Sequence, residues 1–95
     1  MSGNHWYAIA QWFIAAQNPP HLKAIAPAEA HGNLYYDEFV RGGIPKTENG
    51  AQGRSFGKYM EDICAMAVKY PLMNGYWQSK QVEFEKITIP ALVTA

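Results

Sequence analysis

The sequence predicts a chain of mixed helix and strand in which helix outweighs strand. Three observations carry that reading. A helix-forming run from His5 to Gln17 is followed, after Asn18-Pro19-Pro20, by a short apolar run of strand character from Leu22 to Pro27. That order is half of a β-α-β unit, and the strand before it is expected upstream of Met1. A second strand-like run, Ile87 to Ala95, closes the chain.

Each element has a local cause. Ala8, Ala10, Ala15 and Ala16 favour the first helix. Apolar residues surround its whole cylinder, the pattern of a buried helix. Pro19 disfavours helical geometry at Asn18 and ends it. Asn33 is the expected N-cap of a helix over Leu34 to Arg41, which Gly42-Gly43 terminate. Gly42 to Gly57 reads as loop, with five glycines, Pro45 and Asn49-Gly50. A further helix is expected from Ser55 or Phe56 to Lys69. Its apolar stripe is Met60, Ile63, Cys64, Ala67 and Val68, and Pro71 stops it. Leu72 to Gln81 suggests a short helix carrying Tyr76 and Trp77. Ile87, Ile89, Leu92 and Val93 supply the apolar side chains of the last strand, and Pro90 suits a strand start or a bulge. The expected segments are 1–31, 32–86 and 87–95.

Composition narrows the function. The 95 residues are 48% hydrophobic, 14% aromatic and 17% charged, a globular mixture that resembles the interior of a larger protein. Eight Lys+Arg balance eight Asp+Glu, so no basic footprint for nucleic acid is expected. A single cysteine, Cys64, provides neither an internal disulfide nor a cysteine pair for a metal. The longest mostly apolar run, Trp6 to Ala16, is too short to span a bilayer. No membrane partner and no cofactor is expected, and the default compartment is the cytoplasm.

The most informative stretch is Gly3-Asn4-His5-Trp6-Tyr7-Ala8. A nucleophile elbow places a small residue two positions before the nucleophile so that strand turns sharply into helix. The backbone N–H after the nucleophile then faces the oxyanion. Gly3 satisfies the first requirement, and the apex holds His5. The run Gly3 to Trp12, then Pro19-Pro20-His21-Leu22-Lys23-Ala24-Ile25-Ala26-Pro27, resembles the cocaine-esterase-type hydrolases. These are α/β-hydrolases related to the X-Pro dipeptidyl-peptidases, with the text G-x-S-[YW]-x-A-x-x-Q-W and P-P-H-L-K-A-I-x-P-W-E-G. Leu34-Tyr35 through Gly42-Gly43-Ile44-Pro45 continues the similarity, as does Ile87-Thr88-Ile89-Pro90-Ala91.

The resemblance implies a segment of an α/β-hydrolase: the elbow helix, two parallel strands and a mostly helical cap. It implies that His5 stands at the family's nucleophilic serine and that the Trp6 N–H is one oxyanion donor. Tyr7, Ala28, Tyr35 and Phe39 would line the acyl pocket. The family's second donor, usually a tyrosine hydroxyl, is expected upstream of Gly3. Its acid and general-base histidine are expected downstream of Ala95. Pro27-Ala28-Glu29-Ala30 departs from P-W-E-G.

Three functions follow: a hydrolase segment inactive alone; an enzyme using His5 in an aromatic pocket on a small acyl substrate; or a helical module that self-associates through apolar surfaces. His31 with Glu29, Asp37 and Glu38 reads as ordinary polar groups rather than a metal site, which needs three or four convergent ligands. Cys64 reads as an inert buried thiol.

Overall fold

The computed structural model describes residues 1–46 and 61–95. The chain divides into two compact units, one of residues 1–32 and 82–95, the other of residues 33–81.

The first unit is a β-α-β element with a third, irregular strand beside it: in place of the expected strand from Ile87 to Ala95, residues 91–94 touch the returning strand through two isolated bridges. Strand β1 (Ser2–Asn4) leads into helix α1 (Trp6–Ala16), and β2 (Ala26–Ala28) returns parallel to β1. The register pairs Ser2 with Ala26, Gly3 with Pro27 and Asn4 with Ala28. The strand expected before Met1 is therefore inside the chain. Ser-Gly-Asn has no β-branched or aromatic residue to announce it, and its pairing with β2 defines it. On the other side of β2, Ala91 and Thr94 bridge Ile25 and Ala28 in parallel. Ile25 N donates to Pro90 O (3.1 Å), Leu92 N to Ile25 O (3.0 Å), and Thr94 N to Pro27 O (3.1 Å). Pro27 has no N–H to return to that third strand, so the ladder splits into two separate bridges.

Helix α1 buries Ala8, Ile9, Gln11, Trp12, Ala15 and Ala16. Trp12, Ala15, Ile25 and Val82 form the core, flanked by Phe13, Leu22, Ala30, Ile87 and Ile89. Only this face is covered in the described structure. Tyr7 is 80% exposed and Ile14 40%, so the expectation of a helix buried all round is not met here. Past the helix end, Asn18 adopts φ 49, the left-handed conformation that Asn tolerates at such stops. Its side chain accepts from Thr88 Oγ1 (3.1 Å) and donates to Lys86 O (2.7 Å). A 3-10 turn, Phe84–Lys86, precedes the third strand.

The second unit corrects the expected helix over Leu34 to Arg41. Tyr35–Phe39 winds as a π-helical turn, and Val40–Arg41 already pairs with Ile44–Pro45 as an antiparallel hairpin. Gly42 (φ 61) and Gly43 (φ 83) form its two-residue turn rather than a helix stop. Two successive positive φ values are what a tight hairpin demands, and glycine meets them without strain. The later helix is Ile63–Lys69, with Asp62 as N-cap accepting from Ala65 N (3.0 Å). Its expected start at Ser55 or Phe56, and Met60 of its stripe, lie outside the described residues. Cys64 and Ala67 are buried, while Val68 is exposed. A four-residue helix, Gly75–Gln78, carries Tyr76 and Trp77 and is capped by Asn74. Among the described residues of this unit, Leu34, Tyr35, Phe39, Val40, Cys64, Ala67 and Trp77 are the buried apolar ones.

Candidate functional site

The site is the turn between β1 and α1. His5 occupies it with φ 53 and ψ −117. A non-glycine residue held there costs on the order of 1–3 kcal/mol and persists only where its surroundings over-determine it. Two features do so. His5 N donates to Ala28 O (3.0 Å), fixing the turn to the end of β2. Gly3 lets α1 close onto β1, because a Cβ at Gly3 would lie 2.8 Å from Tyr7 Cβ and 3.1 Å from Gln11 Nε2.

Gln11 completes the support. It is 1% exposed, and its Nε2 donates to Gly3 O and Tyr7 O (3.4 Å each). Its Oε1 accepts from Ala26 N at 3.2 Å. One buried amide therefore ties helix and both strands together. Its signal in the sequence was a lone polar residue inside the apolar run Trp6 to Ala16, which signifies a buried polar group needing partners.

Helix α1 starts with its first N–H groups aimed at the turn, the ordinary property of a helix N-terminus. Among the described residues no acceptor takes the N–H of Trp6. The His5 side chain makes no cap bond; its ring meets the Trp6 ring edge-on at 5.7 Å. No hydrogen bond or ion pair engages the His5 imidazole among the described residues. Asn4 Nδ2, beside the apex, donates to Glu29 Oε2 at 2.7 Å.

The structure thus brings His5, Trp6, Tyr7 and Ala28 to the carboxyl ends of adjacent parallel strands, where open α/β sheets bind their ligands. Tyr35 and Phe39 belong to the second unit, where they are 6% and 7% exposed. They pack on Trp77 at ring distances of 5.3 and 6.4 Å. Of the acidic residues weighed with His31 in the sequence, Asp37 accepts from Asn33 N (3.0 Å), and Glu38 pairs with Arg41 (2.9 Å) and Lys46. No group of three metal-ligating side chains converges among the described residues. No helix among them is long and apolar enough to cross a membrane.

Cys64 and Glu61 are among the groups whose acidities are displaced. Burial, reinforced by the Asp62 carboxylate, pushes the Cys64 thiol up. Burial would raise Glu61, but the Lys80 ammonium at 2.6 Å and the Tyr76 hydroxyl beside it hold the carboxyl below its ordinary 4.5. A depressed folded-state value means the pair stabilises above the unfolded value and ceases to as pH falls through the folded one. Thermal melts across the acid range test this. Glu61→Gln is expected to flatten the fall in Tm below pH 4.5, and an unchanged acid limb contradicts it.

With this geometry in hand, comparison with known proteins is specific. The model of the X-Pro dipeptidyl-peptidase (S15) family matches residues 1–69. Two solved structures of a CocE/NonD family hydrolase from Staphylococcus aureus superpose with TM-scores of 0.78 and 0.77, at 33% and 31% identity. Each match covers 93% of this chain and 17% of the hydrolase. The chain therefore spans about one sixth of the length of the structures it matches. No curated protein matches it.

Proposed function

The chain belongs to the X-Pro dipeptidyl-peptidase (S15) family, and from that premise we propose that its turn at His5 is the nucleophile elbow of an acyl-hydrolase fold, with an imidazole at the apex. The carrying observation is the backbone of His5, at φ 53 and ψ −117 between a parallel strand and a helix. A nucleophile elbow is a strained strand-to-helix turn of this kind. Both structural neighbours are CocE/NonD family hydrolases, which supports a hydrolytic role, and carboxylic esters or amides are the compounds we assign to it.

In this reading the Trp6 N–H donates to the carbonyl oxygen of an acyl group resting on the turn, and Tyr7 and Ala28 border it. The second unit is a cap-like segment. Acyl transfer needs a nucleophile, a base within hydrogen-bond reach and a group orienting that base. His5 has no such partner among the described residues. We therefore read the described residues as holding an acyl group at the elbow without turning it over. An assay with p-nitrophenyl acetate tests this. Wild type and His5→Ala are expected to release p-nitrophenol at equal rates. A rate that drops on His5→Ala, or a burst stoichiometric with protein, supports the imidazole as a working nucleophile instead.

A further inference from the structure

His5 is not the only strained residue at this end of the sheet. Glu29, the residue after β2, has φ 54, beside His5 at φ 53 on the adjacent strand. Glutamate has no conformational reason to occupy the left-handed region, where glycine or asparagine is favoured. Its side chain supplies a reason. Glu29 Oε2 accepts the 2.7 Å bond from Asn4 Nδ2, and Asn4 is the residue that immediately precedes the apex. Glu29 N in turn donates to Thr94 O (2.9 Å), which fixes Glu29 to the third strand.

We propose that Glu29 is a positioning residue for the elbow, acting through Asn4. The proposal rests on the reading of the turn at His5 as the elbow. Beyond the strand pairing of Asn4 with Ala28 and the bond of Gln11 to Gly3 O, two contacts hold the chain around the apex. One is the backbone bond from His5 N to Ala28 O (3.0 Å), and the other is the charge-assisted side-chain bond between Asn4 and Glu29. The first fixes where His5 begins. The second, though exposed to solvent, adds a side-chain restraint on Asn4, the residue through which His5 would relax to negative φ. The direction of the Trp6 N–H follows from that conformation, so a carboxylate that touches no ligand decides where the oxyanion donor points.

Solution NMR on the full, isotopically labelled chain tests the proposal without needing turnover. In wild type, a strong intraresidue amide–Hα NOE at His5 is expected, the mark of positive φ. Its absence in wild type overturns the elbow reading itself. In Glu29→Ala that NOE is expected to be lost and the amide resonances of His5 and Trp6 to move, while those of Trp12 and Ala15 stay. Glu29→Gln is expected to restore the wild-type pattern, because its amide oxygen accepts the same bond. If the wild type has the NOE and Glu29→Ala keeps it, the positioning role is wrong while the elbow stands. Shifts that spread through Trp12 and Ala15, or a Glu29→Gln variant that fails to restore the pattern, show a merely structural role and overturn the proposal equally.

Discussion

Gly3→Ala is expected to destabilise the first unit by about 2–3 kcal/mol, the upper range for overpacking. The new Cβ would sit 2.8 Å from Tyr7 Cβ, 3.1 Å from Gln11 Nε2 and 3.4 Å from the Tyr7 carbonyl carbon. Tyr7 Cβ is bonded to the helix backbone and cannot swing aside as a long side chain would. The start of α1 must move instead, and that movement stretches the bonds of Gln11 to Gly3, Tyr7 and Ala26. Urea unfolding measures the effect as a lowered midpoint at constant slope. A midpoint equal to wild type would show that α1 does not close onto β1 at Gly3.

Trp77→Ala is expected to cost more, about 3–5 kcal/mol, as large-to-small changes at buried aromatics do. Trp77 has no exposed surface. Its ring meets Tyr76 at 4.9 Å and Tyr35 at 5.3 Å, and its Nε1 donates to Tyr70 O at 2.7 Å. Truncation removes the ring and strands that carbonyl. Trp77→Phe keeps most of the packing and loses only the donor, so a loss of about 1–2 kcal/mol is expected. Near-UV circular dichroism during urea unfolding checks both. Equal midpoints for wild type and Trp77→Ala would contradict the aromatic core of residues 33–81.

The parts of the fold legible in the sequence were those with local causes. Alanines and the Asn18-Pro19-Pro20 stop placed α1 to within a residue at each end. The family text around Gly3, Gln11 and Trp12 placed the turn. What was hidden depended on partners distant in the chain. Ser2–Asn4 is a strand only because β2 lies beside it. Gly42-Gly43 suits a helix stop and a hairpin turn alike, and the pairing of Val40–Arg41 with Ile44–Pro45 decided for the hairpin. Pro27 inside a middle strand was legible as an apolar residue, but its effect on the ladder required knowing that a third strand lay on its N–H side. Glu29 gave no sign at all, since neither its positive φ nor its bond to Asn4 has a sequence signature.

His5 sits at a strained apex between strand and helix. The stability of His5→Gly relative to His5→Ala tests this most directly. Both variants remove the imidazole, and only glycine relieves a backbone at φ 53. His5→Gly is expected to unfold at a higher urea concentration than His5→Ala, by an amount equivalent to about 1 kcal/mol. In an ordinary helical or extended conformation glycine would instead be the less stable of the two by about 0.5–1 kcal/mol, and that result would contradict the elbow.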